Sequence, residues 1–467
     1  MNRDKKLIKN TAILSLGTII SSGLSFIMIP FFSRWLSSAE YGTYDVYNTY
    51  VTLLIPFLTI ACSEATFRFL LDSKDSDGNK RILNSSLFIV IVGLIIGAIG
   101  SYLFFTFSNS ASVFSFIALL ISYAFYTHGT YIARGFRKLT LYTIANIIQL
   151  ISMVVGVTVF VYFLKLGLDG ILLGYAVGYL IGFIFIFFGC SLHKYYFKTK
   201  PNTLTLREIS LYSLPLMPNT IAWWFVNVSD REIIKIWLGP DYNGIYAIAH
   251  KVPALCTVIF SVFQMAWVEN AVDSINDLDK DIYYNSILKK IIPLALCAGA
   301  CVIAVNRYFY KWIWDVKYLT GQYHVFILMF AVIFSFLAQF LGGILTAQKR
   351  TKANGATTII AAAINVVFNL IFIRSIGLYA ASISTLISYL FMFCSRLFLL
   401  RKEIKIKFRL QYVFSFALFA FNCIIQFLTN EVVGVLCLAL TAVFSVVINF
   451  SAIKDVLNMV FKKNKTT

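Results

Sequence analysis

The groups in this chain with types and spacing fit for chemistry are a few charged residues set in or beside long apolar runs. Glu64 and Arg68 stand four apart in one run, so on a helix they share a face and can pair. Asp45 lies near the outer end of the same run, and Arg34 closes the run before it. Asp230, Arg231 and Glu232 close a later run, and Lys251 stands about two turns into the next. An ionisable group at membrane depth is costly unless it faces a protein interior or a wet cavity, so each marks a site or pathway. The plainer readings are a structural ion pair for Glu64 and Arg68, and interfacial anchoring or snorkelling for Arg34 and Arg231. Lys251 is too deep to escape so easily. Amides also cluster at helical spacing: Asn146 with Gln149, Asn219 with Asn227, and Asn365 with Asn369. Interhelical hydrogen bonds account for such pairs, and a lining for sugar hydroxyls is the sharper alternative. This is chemistry of binding and charge compensation. The sequence shows no nucleophile constellation, no metal-ligand spacing and no GxxxxGK[ST] phosphate loop. The eight cysteines form no CxxC pair and read as small buried hydrophobes.

The elements that must position these groups are membrane helices. The chain has 467 residues, of which 59% are hydrophobic and 13% charged, with a mean hydropathy of +0.79. Apolar runs of about twenty residues, the length that crosses a bilayer core, recur from end to end. The net charge of +19 does not imply nucleic acid, because most of the basic residues sit in loops on one side, as the positive-inside rule requires. The expected fold is all-α integral membrane, with about fourteen spans and both termini cytoplasmic. Span one is expected at Thr11–Phe32, span two at Tyr44–Leu70, span seven at Ile209–Val228 and span eight at Gly244–Val268. The last two are expected at Tyr412–Leu428 and Val432–Ile453.

A motif organises the chain. Trp35–Val46 (WLSSAEYGTYDV) returns 202 positions later at Trp237–Ile248 (WLGPDYNGIYAI), with Trp, Leu, Gly and Tyr in register. Each copy joins the first two spans of a half. The halves are an N-terminal six-helix lobe (1–205) and a C-terminal one (206–410), followed by two extra helices and a basic tail (411–467). An even span count makes the repeats parallel, related by a pseudo-two-fold along the membrane normal. Pro30 and Pro56 in the first hairpin, and Pro215, Pro218 and Pro253 in its counterpart, predict interrupted spans at matched places, which is where transport sites lie. The largest outer loop, Arg307–Gln322, is too short to hold a catalytic domain, which counts against a membrane enzyme such as a polymerase. A non-transporting scaffold would not need matched kinks.

The opening KNTAILSLGTIISSGLSFIMIPFFSRWLSSAEYGTYDVYNTY resembles the start of Wzx-type O-antigen and capsule flippases, of the superfamily that includes multidrug exporters and the lipid II flippase. The marks are the basic N-terminus, Pro30-x3-Arg34 (one residue shorter than the usual pattern), Leu36, Tyr41, Gly42, Tyr44, and SEATFRF at Ser63–Phe69. The resemblance implies a flippase, not an enzyme, in the bacterial cytoplasmic membrane. It would move an undecaprenyl-diphosphate-linked oligosaccharide to the outer leaflet by alternating access, with no cofactor beyond a proton or sodium gradient. The partners implied are that substrate, membrane lipids, a polysaccharide polymerase and a chain-length regulator. A diphosphate needs fixed positive charge, which Arg34, Arg68, Arg231 and Lys251 can supply. Asp45 and Glu64 are the expected coupling acids. A cation-coupled drug exporter is the nearest alternative, although it would favour buried acids over the bases seen here.

Overall fold

The computed structural model describes residues 28, 30–73, 75–107, 112–275, 279–348, 350–401, 409–428 and 431–450. The regular elements among them are helices: α1 Ser38–Leu58, α2 Cys62–Asp72, α3 Ser76–Phe107, α4 Val113–Gly135, α5 Leu139–Val157, α6 Gly167–Gly189, α7 Thr203–Ser213, α8 Met217–Trp237, α9 Pro240–Asp273, α10 Lys280–Tyr308, α11 Gln322–Ala347, α12 Thr351–Ile376, α13 Leu378–Leu400, α14 Leu410–Leu428 and α15 Glu431–Ile448. Among the described residues eight helices are long and apolar enough to cross a membrane, or nine if the bent pair α1–α2 is one span. Shorter apolar helices lie at Leu410–Ile425 and Leu436–Ile448. The chain is an all-α, multi-pass membrane protein. Nearly all of the expected first span lies outside the described residues.

Three expectations need correction. The Trp-Leu motif is mostly helix, not loop. In the first copy Ser37 caps α1, accepting from the Glu40 amide while Glu40 reaches back to the Ser37 amide, a capping box that satisfies two otherwise orphaned donors. The second span is interrupted, as Pro56 leads one to expect, but the bend of 56° between α1 and α2 falls at Ile60 and Ala61, whose φ values of 51° and 48° are left-handed. Its counterpart α9 runs unbroken through Pro253, so the matched prolines do not give matched breaks. Finally, Asp230–Glu232 do not close span seven, because α8 continues to Trp237.

By packing, the chain forms two compact units, Met1–Gly244 and Ile245–Thr467. In the first, α3, α4 and α7 grip the break. A β-branched residue in the left-handed region is strained, and such strain persists only where neighbours over-determine it. Here the Ala61 amide donates to Pro56 O at 2.8 Å, and Ser213 of α7 donates to Ala61 O at 3.4 Å. His128 of α4 is fully buried. Its two ring nitrogens meet Ser63 Oγ at 3.1 Å and Ser86 Oγ at 3.3 Å, tying α2 to α3. Gly93 of α3 lies so close that a Cβ there would stand 2.1 Å from Leu58 O.

In the second unit Arg396 of α13 does the corresponding tying. It is 2% exposed. It donates to Thr357 Oγ1 at 3.1 Å and Thr358 Oγ1 at 3.0 Å on α12, and to Ala338 O at 2.7 Å on α11. A guanidinium can be buried this way because its rigid fork of donors finds acceptors on both neighbours. Trp267 of α9 stacks on Phe340 of α11 with centroids 4.1 Å apart and donates to Phe340 O.

Gly93→Ala is expected to destabilise the protein by about 1–3 kcal/mol, the usual cost of forcing atoms into a closed contact. Gly355, which has open space around it, is the control site for an alanine substitution. Thermal unfolding in detergent compares the two.

Candidate functional site

In the first unit the two copies of the repeated motif meet each other. A Cβ on Gly42 would fall 2.0 Å from Pro240 O, and one on Gly244 would fall 2.2 Å from Ser38 O. Gly42 and Gly244 are register mates in the repeat, and so are Ser38 and Pro240, so the contact is reciprocal. Only a residue without a Cβ allows two helix backbones this near. Asn243, fully buried, locks the crossing by donating to Gly42 O at 2.7 Å.

This crossing holds the start of α9 against α1, and α8, which ends at Trp237 just before it, carries charges that face α1. Asp45 of α1 and Arg231 of α8 form an ion pair at 2.7 Å, with side chains 7% and 18% exposed. One helical turn on from Arg231, the Lys235 ammonium lies 5.3 Å from the Tyr47 ring centre and 5.6 Å from that of Tyr50, within cation–π range. The Glu232 carboxylate lies beside the Tyr50 hydroxyl and also faces Lys235. Two acids, two bases and two tyrosines thus line one seam. The buried carboxylate needs its cation: removing one partner of such a pair leaves an uncompensated charge.

From Asp45 a line of tyrosines continues into the first unit. Tyr44 packs on Tyr175 of α6 with ring centroids 5.0 Å apart. Tyr179, one turn along, meets Tyr123 and Tyr126 of α4, and the Tyr126 hydroxyl bonds Asn146 Oδ1 of α5. Rings with hydroxyl tips offer both faces and hydrogen bonds, the pairing that recognises amphipathic surfaces such as sugars.

The other expected residues are dispersed. Arg68 pairs with Asp72, at 3.3 Å and exposed, in place of the expected Glu64. Glu64 occupies the first turn of α2, where a carboxylate offsets the helix dipole. Arg34 is exposed, and Gln149 half-buried on α5. The Asn219 side chain lies outside the described residues. Lys251 is half-buried on α9 of the second unit. There Asn365 and Asn369 are both fully buried on α12. Asn365 donates to Ser384 Oγ and Thr385 Oγ1 of α13 at 3.4 Å, the interhelical role. Sequence reasoning missed Lys235, Tyr47 and Tyr50. The signal was there for Lys235, which follows Arg231 by four and so shares its helix face.

Residues 7–268 match the family model described as "Polysaccharide biosynthesis protein". The chain is 22% identical over 401 residues to the "Probable low-salt glycan biosynthesis flippase Agl15" of Haloferax volcanii, covering 82% of this chain and 81% of that protein. Among solved structures it resembles the lipid II flippase MurJ in an inward closed conformation, with a TM-score of 0.73 at 15% identity over 95% of this chain and all of that one. It also resembles an inward-facing MATE-family multidrug transporter, with a TM-score of 0.64 at 15% identity over 82% and 94%, and the Vibrio cholerae MATE transporter VcmN, at 0.58 and 12% over 86% and 99%.

Asp45→Ala is expected to cost about 3–5 kcal/mol. Adding Arg231→Ala should recover part of that loss, because the lone buried charge is gone. A double-mutant cycle by unfolding in detergent measures the coupling, and additive losses would show the pair to be energetically idle. Gly42→Ala and Gly244→Ala should each lower the unfolding temperature, where Gly355→Ala does not.

Proposed function

Because the chain belongs to the polysaccharide biosynthesis protein family, a family of membrane flippases and not of enzymes, we propose that it carries an undecaprenyl-diphosphate-linked oligosaccharide across the bacterial cytoplasmic membrane. The direction is from the cytoplasmic to the outer leaflet, both termini stay cytoplasmic, and the glycan serves O-antigen or capsule assembly with a polymerase and a chain-length regulator downstream. The observation that carries this reading is the buried Asp45–Arg231 pair beside Lys235, Tyr47 and Tyr50. A diphosphate is a stronger claimant for a guanidinium than one carboxylate, since it can accept bidentate hydrogen bonds and carries more charge. Arg231 exchanges Asp45 for the diphosphate, and Lys235 adds a second cation. The tyrosines running from Tyr44 to Tyr126 receive sugar rings and hydroxyls. The lipid tail stays in the apolar phase.

The exchange also supplies a coupling step. Asp45 without Arg231 is a buried carboxylate in need of a cation, and a proton or sodium ion meets that need. When the anion leaves, Arg231 returns to Asp45 and displaces that cation. Glu64, at the α2 N-terminus, is the less suitable acid because its charge already serves the helix end. In the second unit Lys251 is the proposed anion contact, and Arg34 and Arg68 are exposed cations that attract the headgroup.

The test is transport in vesicles holding a fluorescent undecaprenyl-diphosphate-linked oligosaccharide, with and without an imposed proton or sodium gradient. Wild type should move the glycolipid, Arg231→Ala should slow it at least about tenfold, the loss of one charge-assisted contact, and Arg231→Lys should keep part of the rate. The same assay with Lys251→Ala and Lys251→Arg tests the second-unit contact, and normal flux in both would remove it. The likeness to MATE transporters favours a second reading, cation-coupled drug export. Efflux of small organic cations without any glycolipid movement would select that one.

A further inference from the structure

The break between α1 and α2 leaves a space beside it. Gly93 pins α3 to the end of α1 at Leu58. From there α1 and α3 diverge, and a groove of about 500 Å³ opens between them, lined by Tyr50, Leu54, Leu58, Gly97, Gly100 and Phe104 among others. It follows α1 from Leu58 back to Tyr50, about 12 Å at 1.5 Å per residue. Its polar side chains are the hydroxyls of Tyr50 and Ser101. The flanking face of α3 carries exposed Ile95, Ile99 and Leu103, so in a membrane the groove opens to the hydrocarbon phase.

Gly100 separates this groove from a packing accident. A Cβ added there meets nothing within 4 Å, so helix packing does not call for glycine, and glycine weakens a helix interior. What its missing side chain supplies is width. The far end of the groove is equally specific. Tyr50 forms part of its wall and has Lys235 over its ring. The apolar channel and the charged seam therefore share one side chain, the geometry suited to an amphipath with a charged head and a long hydrocarbon tail.

We propose that the α1–α3 groove is a binding site for the polyprenyl chain of the carrier lipid, seating the isoprene units nearest the diphosphate while the head lies at Lys235 and Arg231. This rests on the flippase reading for the identity of the tail. A seated tail fixes the head's approach to the seam, so that Arg231 meets a diphosphate already oriented.

The test is photo-crosslinking of purified protein in phosphatidylglycerol and phosphatidylethanolamine vesicles containing undecaprenyl diphosphate, without glycan, with a diazirine on an isoprene unit close to the diphosphate. Label should map to α1 and α3 peptides around Leu54 and Gly100. Excess unlabelled undecaprenyl diphosphate should compete it away, and excess phosphatidylglycerol should not. Gly100→Phe, which fills the groove, should reduce that labelling at least fivefold with an unchanged unfolding temperature, and Gly100→Ala should retain most of it. Labelling elsewhere, equal competition by phosphatidylglycerol, or full labelling of a folded Gly100→Phe variant would each overturn the proposal. If Gly100→Phe does not fold, the wild-type map and competition decide. Because this readout is binding, a wild-type protein that labels at the groove but moves no glycolipid would sink the flippase reading and leave the site standing. One that moves glycolipid without groove labelling would do the reverse.

Discussion

A carboxylate can lie buried in a membrane helix only if a cation is held beside it, and here the backbone crossing at Gly42 and Gly244 does the holding. That crossing joins α1 to the start of α9, directly after α8 ends at Trp237, and on α8 Arg231 meets Asp45 at 2.7 Å. A methyl group at the crossing would displace the α8–α9 corner that carries the pair. The charged seam, with Lys235 on its tyrosine shelf beside Glu232, is therefore anchored by two glycines. Since those glycines are register mates in an internal repeat, the motif that marks the two halves in the sequence is also the surface by which its copies touch.

The seam and the break in the second span serve different ends. The seam collects charge where α1 begins, while the break bends the chain where α1 ends. It is held against strain by Gly93, Ser213 and His128. Such effort is not spent on a helix that merely spans a bilayer. Between them lies the run from Tyr50 to Leu58, which carries ring and hydroxyl at one end and bare alkyl surface at the other, matching in order the parts of a glycolipid.

Much of this was legible in the sequence, and the misses have physical reasons. Hydropathy and basic loops announce a helical membrane protein because the bilayer leaves few other solutions. The repeat was visible because Trp, Gly and Tyr at fixed spacing stand out against aliphatic residues. Asp45 and Arg231 could be named singly, but a bond between residues 186 positions apart leaves no local trace. Pro56 announced an interruption of the second span, but its place was not legible, because the left-handed residues are Ile60 and Ala61, which carry none of the usual Gly or Asn signature. Arg68 has an acid four residues away on either side, Glu64 and Asp72, and spacing cannot choose between them. The break decides, since it places Glu64 at a helix start. Arg396 lies in an apolar run near a basic loop, and nothing local says that it turns inward to bind α11 and α12.

The central claim is that Asp45 restrains Arg231 until an anion displaces it. The direct measurement is equilibrium binding of undecaprenyl diphosphate to detergent-purified wild type, Asp45→Asn and Arg231→Ala. If the claim holds, Asp45→Asn binds more tightly than wild type, because Arg231 is released without an anionic rival, and Arg231→Ala binds more weakly. Unchanged or weaker binding by a folded Asp45→Asn variant would contradict it.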